Sequence, residues 1–215
     1  MALRDDDRPR LAEARRALSA GLHVFLFSDN VSLEDEVALK REALARGLLL
    51  MGPGAGTAIV NGVGLGFANA VPRGPVGLVA AAGTGLQEVA CLIARQGIGI
   101  SQALGVGGRD LTEAVGGMMT LACLRALQND PATRVVVLIA RPPAPAVAER
   151  VLQAAEAAGK PAMACFPGAS DKLCAGYNVW PARTLEAAAL FAVAEVRGHP
   201  RWTFPPRPIS TRGTC

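Results

Sequence analysis

Four short runs of aliphatic residues constrain this chain more than any other feature. They are Val76–Ala80, Gly99–Leu104, Arg134–Ala140 and Pro161–Cys165. The third reads Arg-Val-Val-Val-Leu-Ile-Ala and is apolar at every position after the first. A strand with one wet face alternates polar and apolar residues; a continuously apolar strand is covered on both faces. Between and after these runs the sequence predicts helices over Thr84–Gln96, Leu111–Gln128, Pro145–Ala158 and Thr184–Val196. Strands that alternate with helices make a parallel sheet wrapped on both sides, and right-handed crossovers leave few orders open. The expected fold is therefore α/β, a doubly wound parallel sheet with the flavodoxin-like strand order 2-1-3-4.

A smaller unit precedes it. A helix is expected over residues 8–20, closed by Gly21, followed by a strand Leu22–Phe27. Ser32 then reads as an N-cap, with Glu34, Asp35 and Glu36 in the first turn, where the helix dipole favours anions. That helix runs to Arg46, stops at Gly47 and leads into a buried strand Leu48–Met51. This is a strand–helix–strand unit of Rossmann type. From Gly52 to Pro75 the chain is too rich in glycine for regular elements to be expected, and reads as a long loop. The implied organisation is a partial Rossmann-type unit over 1–52, a glycine-rich connector over 53–74, a flavodoxin-like domain over 74–198 and an irregular tail over 199–215. Pro205, Pro206 and Pro208 forbid a helix in that tail.

Composition narrows the function classes. Of 215 residues, 51% are hydrophobic but only 4% aromatic, so the core must be built from Ala, Val, Leu and Ile. No apolar run is long enough to span a bilayer, and Met1–Arg10 carries charge where a signal peptide would carry a hydrophobic core; a cytoplasmic location is expected. The five cysteines are odd in number and none forms C-x-x-C, which reads as reduced, mostly buried thiols. His23 and His199 are the only histidines, so no His-rich metal site is expected. Arg197, Arg201, Arg207 and Arg212 make the C-terminal end basic without interleaved aromatics on a folded face, and no nucleic-acid partner is expected.

In such sheets ligands bind beyond the carboxyl ends of the strands, where the order reverses. Here that point lies between Val76–Ala80 and Arg134–Ala140. The turn Ala81-Ala82-Gly83-Thr84-Gly85-Leu86-Gln87 runs from strand into helix, and its backbone N–H groups at a positive helix end suit an anion. The same residues also read as a T-x-x-Q capping box between Thr84 and Gln87. A second turn, Gly105-Val106-Gly107-Gly108-Arg109-Asp110, offers the Arg109 guanidinium for a carboxylate or phosphate. Asp110 and Glu113 fit a cap for the next helix, and a solvated Arg109 is the plain alternative. Gly116-Gly117 falls inside the predicted helix and implies close packing. Cys174, two residues after Lys172, is either a reactive thiol or a buried one. P-loop, zincin and nucleophile-elbow motifs do not occur, so no catalytic nucleophile is named.

Taken in order, MGPGAGTAIVNG, GFANAVPRGPVGLVAAAGTGLQEV, ISQALGVGGRDLTEAVGG and RVVVLIA resemble the FdrA family, itself similar to the α subunit of succinyl-CoA synthetase and other nucleotide-forming acyl-CoA ligases. The resemblance covers about residues 10–170. It implies that the first unit corresponds to the second half of a CoA-binding Rossmann domain, and that residues 74–196 correspond to the ligase domain. It implies a component of an acyl or carbamoyl transfer system, of oxamate carbamoyltransferase type, working with partner subunits; the open edges of the two-strand unit separately make a homo-oligomer or a complex with a partner expected. The ligand would be a small carboxylate or an acyl or carbamoyl phosphate. It would sit on Gly83, Thr84, Gly85, Gly107, Gly108 and Arg109, with Gly54, Gly56, Thr57 and Asn61 of the connector nearby. No tightly bound cofactor is expected, and CoA or carbamoyl phosphate would bind only with a partner. The chain departs from the family at several points. The ligases carry a phosphorylated histidine in the loop that is here Phe166–Asn178, which has no histidine. Ala82 stands where the family has serine, and Gly52-Pro53-Gly54-Ala55-Gly56 replaces its Gly-Pro-Asp-Cys-Gly. These losses also fit a non-catalytic scaffold or binding subunit.

Overall fold

The computed structural model describes residues 8–198. The tail expected to be irregular, with its prolines and arginines beyond residue 198, lies outside the described residues, as do Met1–Asp7. The strands are β1 (Val24–Phe25), β2 (Leu50–Met51), β3 (Thr57–Val60), β4 (Val63–Gly66), β5 (Arg73–Ala80), β6 (Ile100–Gly105), β7 (Val135–Ile139), β8 (Ala162–Cys165) and β9 (Val179–Ala182). The α-helices are α1 (Arg8–Ser19), α2 (Leu33–Ala45), α3 (Gly83–Arg95), α4 (Met118–Asn129), α5 (Pro145–Ala157) and α6 (Leu185–Arg197).

The large sheet runs β4-β3-β6-β5-β7-β8-β9. Its centre, β6-β5-β7-β8, is parallel and has the order expected from the four apolar runs. All five residues of β7 and all four of β8 are buried, as strands covered on both faces must be. Helices α3 and α6 pack together on one face, and α4 and α5 on the other. Each face has its own apolar cluster. One is built on Leu86, Val89, Ile93 and Phe191, and the other on Leu124, Leu127, Val151 and Leu152.

Three expectations fail. The stretch from Gly52 to Pro75 is not a plain loop. It folds into a hairpin, β3–β4, whose two-residue turn is Asn61-Gly62, and β3 adds antiparallel to the edge of β6. Asn61 (φ 52°) and Gly62 (φ 83°) both take positive φ, the requirement of a type I′ turn, which Asn-Gly meets best. The second failure is the helix expected to start at Leu111: α4 starts at Met118, and Gly116 and Gly117 lie at its amino end rather than inside it. A Cβ on Gly117 would stand 3.0 Å from Val147 Cγ1, so α5 packs directly on that turn. The third is β9, which extends the sheet beyond the four expected strands.

The N-terminal unit is a two-stranded parallel sheet, β1–β2, flanked by α1 and α2. Ser32 caps α2 as expected, its Oγ accepting from Asp35 N at 3.1 Å. The unit shares one apolar cluster with the large domain. Leu11, Leu18, Leu39 and Leu50 lie in the same buried group as Val106, Leu111, Met119 and Cys123. The Leu50 amide even points to Met119 Sδ, at 3.3 Å. Boundaries drawn near residue 52 therefore mark a change of sheet, not an independent core.

Candidate functional site at the glycine turns

Three glycine turns converge beyond the carboxyl ends of β5 and β6. Residues 52–57 enter β3, residues 81–85 join β5 to α3, and residues 105–110 follow β6. A Cβ on Gly107 would meet Pro53 O at 2.4 Å, and one on Gly105 would meet Thr57 O at the same distance. Those two glycines let the first and third turns touch backbone to backbone. Gly85 has a different reason: a Cβ there would stand 2.9 Å from Ile139 Cγ2, so glycine lets α3 lie close on β7. Gly83 and Gly108 are the open positions. Around them the nearest neighbours of a Cβ are Gly56 N at 3.9 Å and Ala81 O at 4.0 Å.

Helix α3 presents its amino end to this junction. Its N-cap is Ala82, which makes no side-chain cap, and no acidic residue stands in its first turn. The first intrahelical bond runs from Leu86 N to Ala82 O at 3.0 Å, so the amides of Gly83, Thr84 and Gly85 precede it. The expected Thr84–Gln87 capping box does not form, because the helix begins two residues earlier than that box requires. Gln87 Nε2 instead donates to Thr57 Oγ1 at 2.6 Å, tying α3 to the start of β3.

Arg109 is less available than the sequence suggests. Its Nε lies 2.7 Å from Glu36 Oε2 as an ion pair, though off the N–H direction, so that oxygen accepts no hydrogen bond. Its Nη2 donates to Val31 O at 2.7 Å. The side chain is 41% exposed against 0% for Glu36, so one edge still faces water. Asp110 is a cap, as expected, but for a helix that starts further on. Its carboxylate accepts from Met119 N at 3.2 Å, Thr120 N at 2.8 Å and Thr120 Oγ1 at 2.7 Å. Asn61 is not brought to the site. It sits at the hairpin tip, where its N–H donates to Gln102 Oε1 and its Oδ1 accepts from Gln102 Nε2, both at 2.8 Å. Gly54 lies against Asp29, with 3.4 Å between its Cβ position and Asp29 Cβ.

Lys40 is not singled out by the sequence, and Glu36 reads there only as a first-turn acid. A Glu-x-x-x-Lys pair on a helix reads as a solvated surface pair. The one available signal was Leu39 and Ala43, which place an apolar stripe beside Lys40. Cys174 is buried, as the plainer reading had it. It lines a cavity of about 560 Å³ with Phe166, Lys172 and Arg183, at the carboxyl ends of β8 and β9 rather than at the glycine turns. Among the described residues no group of three or more His, Cys, Asp or Glu could hold a metal ion. Nor is any helix there long and apolar enough to cross a membrane.

Comparison with known proteins agrees with this architecture. The model of the CoA binding domain matches residues 73–168, which span β5 to β8 and their glycine turns. The match thus falls on the part of the chain expected to be ligase-like, not on the N-terminal unit. The chain is 51% identical to the uncharacterized protein YahF of Escherichia coli K12, over 84% of this chain and 35% of that protein. It is 29% identical to the α subunit of the ADP-forming succinate–CoA ligase of Methanothermobacter thermautotrophicus, over 68% of this chain and 50% of that one. Among solved structures, the dinucleotide-forming acetyl-coenzyme A synthetase 1 of Ca. Korarchaeum cryptofilum, in complex with phosphate and ADP, superposes with a TM-score of 0.68 at 17% identity. That match covers 88% of this chain and 46% of the synthetase chain. ATP citrate lyase from Methanothrix soehngenii gives a TM-score of 0.61 at 18% identity, over 88% of this chain and 33% of its own. The chain spans about a third to a half of the length of these curated relatives. It carries a CoA-binding-domain pattern over 73–168 and is similar to subunits of ADP-forming CoA ligases, among them the succinate–CoA ligase α subunit.

Proposed function

We propose that this chain is an FdrA-like component of an acyl or carbamoyl group transfer system, and that it holds a small carboxylate or an acyl or carbamoyl phosphate on the amino end of α3. The observation that carries the reading is the uncapped first turn of α3, set at the carboxyl edge of the parallel sheet among three glycine turns. Peptide amides at a helix amino end stabilise negative charge without reorganising, which is what a transferred acyl or phosphoryl group requires as charge develops on it. Gly83 and Gly108 leave the approach open. Transfer is direct, since Phe166–Asn178 offers no histidine to carry phosphate. Acid–base groups come from a partner subunit or a second copy, in keeping with relatives that are subunits of larger ligases.

The N-terminal unit does not fit CoA by itself. The link from β1 to α2, residues 26–32, contains no glycine and so offers no glycine-rich phosphate loop. CoA is therefore expected to bind only with a partner present. A sub-micromolar dissociation constant for CoA on the isolated chain, by calorimetry, would sink that part of the reading.

A second reading, a scaffold or binding subunit without chemistry, is favoured by one observation. Arg109 is already paired with Glu36, and Gly85, Gly105 and Gly107 are accounted for by packing. Thermal shift with oxamate, succinate, carbamoyl phosphate and CoA separates the two, because a ligand that binds the folded chain raises its melting point with occupancy. A shift by one of the three small anions that Gly83→Val removes supports the transfer component. No shift by any of them leaves the scaffold.

A further inference from the structure

A cluster of four charged side chains joins the N-terminal unit to the turn after β6. Lys40 is fully buried, and its ammonium donates to Glu36 Oε1 at 2.8 Å, Asp110 Oδ1 at 2.8 Å and Val106 O at 3.1 Å. An ammonium has three N–H donors, so all are used. Asp110, also fully buried, returns to α4 through Met119 and Thr120. Glu36, the third fully buried group, faces Arg109, which is held in turn by Val31 O. Two positive and two negative charges balance.

Burying ions is unfavourable unless their partners are complete, and apolar residues of the same volume would hold α2 on α4 at least as firmly. What this cluster adds is direction. Every contact it makes outside α2 and its own leading loop falls on Val106, Arg109 or Asp110, or passes through Asp110 to α4. Lys40 thus brackets Gly107-Gly108 from both sides, while Gly107 is pressed on Pro53. The turn that faces Ala81 and the amino end of α3 is held by the N-terminal unit as well as by β5, where Val106 N donates to Ala80 O at 2.9 Å.

We propose that Lys40 and Glu36 are positioning residues for the Val106–Asp110 turn, so that the N-terminal unit sets the wall of the anion site without touching the anion. The inference rests on the reading above for what the turn faces, but not for the positioning itself. Amide hydrogen exchange tests it. In Lys40→Met and Glu36→Gln, exchange at Val106, Asp110, Met119 and Thr120 should rise by about tenfold or more relative to Val136 and Leu138 of β7. Leu18→Ala, which loosens the apolar core of the same unit, should not single out those four amides. If the four amides hold their protection in both variants, or lose it only in step with β7, the proposal falls. Should both variants fail to fold, the native chain decides. As denaturant rises, α2 and the four amides should open together; α2 opening while Asp110 and Thr120 stay protected overturns the idea. Inorganic phosphate gives a separate arm. Its affinity, by calorimetry, should fall about tenfold in Glu36→Gln and be unchanged in Leu18→Ala, as expected of a positioned but untouched site. Equal affinity for phosphate in the parent and Glu36→Gln counts against positioning. A parent that does not bind phosphate sinks the anion reading instead, and leaves positioning to the exchange result.

Discussion

Thr84 and Asp110 both look like helix caps in the sequence, and only one of them is. Thr84 is exposed and makes no cap, since Ala82 occupies that position in α3. Thr84→Val is therefore expected to change stability by no more than about 0.5 kcal/mol in urea denaturation. Asp110 is buried, accepts from two amides and a hydroxyl, and neutralises Lys40. Asp110→Ala leaves a buried ammonium short of a partner, and should cost about 3–5 kcal/mol by the same measurement. Spacing alone could not tell the two apart. A D-x-x-E pattern at Asp110–Glu113 predicts a cap for the residues just after it, whereas the turns at 111–117 carry the chain away before α4 begins. Arg109 is read without its partner Glu36, and Lys40 is passed over, for a related reason: sequence shows a charge but not what faces it. The cysteines were easier, because a lone thiol is a small apolar residue by default. Burial pushes the Cys165 thiol up to about 11, and burial together with the nearby Asp110 charge raises Cys123 further, against a smaller lowering by Lys40. Iodoacetamide at roughly pH 8 should thus label Cys91, which is half-buried, well before Cys123, Cys165 or Cys174. Rapid loss of the Cys174 thiol in intact protein would revive its reading as a reactive group.

At the scale of elements, the central strands were legible because parallel strands buried on both faces have no polar positions to confuse the pattern. The hairpin was not, although its signal was present. Asn61-Gly62 marks a type I′ turn, but glycines on either side of it masked the short strands, since Val63-Gly64-Leu65-Gly66 has little β-propensity of its own. What holds β3 in place is the edge of β6. Gly105→Ala tests this directly, because the new methyl would stand 2.4 Å from the Thr57 carbonyl and force β3 off that edge. A loss of about 1–3 kcal/mol is expected, measured in urea, with the largest change in exchange at β3. The loop from α4 to β7 gives a pH dependence that can be tested. Burial raises the Asp130 carboxyl, but hydrogen bonds from Ala132 N, Thr133 and Gln102 and the Lys160 charge outweigh it, and the group lies below its ordinary 3.8. A carboxylate lowered in the folded state stabilises the fold above its unfolded value, and that stabilisation is lost as pH falls through the folded one. Asp130→Asn should therefore be less stable than the parent near neutrality, with the difference shrinking as pH falls from about 5 through the lowered folded value. A difference that stays constant over that window would mean another group is responsible.

For the whole molecule, the question is whether the N-terminal unit is a separable remnant. An isolated β1–β2 pair would be marginal alone, and its open edges make association with another chain a natural expectation. Its principal apolar surface, however, is already covered from within. Leu11, Ala14 and Leu18 of α1 and Leu39 and Ala43 of α2 are buried in the cluster that includes Val106, Leu111 and Met119. Among the described residues the exposed large apolar side chains are Leu22, Phe27, Val63, Phe67 and Leu190, none of them on α1 or α2. Phe27 and Phe67 stack edge to face at 5.3 Å, with Leu22 and Val63 also exposed. Any contact with a partner is therefore expected to use the Phe27–Phe67 surface rather than α1 or α2. Removal of residues 1–51 decides how far the two units depend on each other. Such a chain would expose the apolar side of α4, leave Asp110 and the Val106 carbonyl without Lys40, and free the Leu111 region from its cover. Losing one partner of a buried ion pair alone costs about 3–5 kcal/mol, against a typical total stability of about 5–15 kcal/mol. The shortened chain should therefore lack a cooperative thermal transition, even though every strand of the large sheet remains. A chain from residue 52 onward that melts cooperatively, at the temperature of the parent, would show that the charge cluster and the shared core do not join the two units into one.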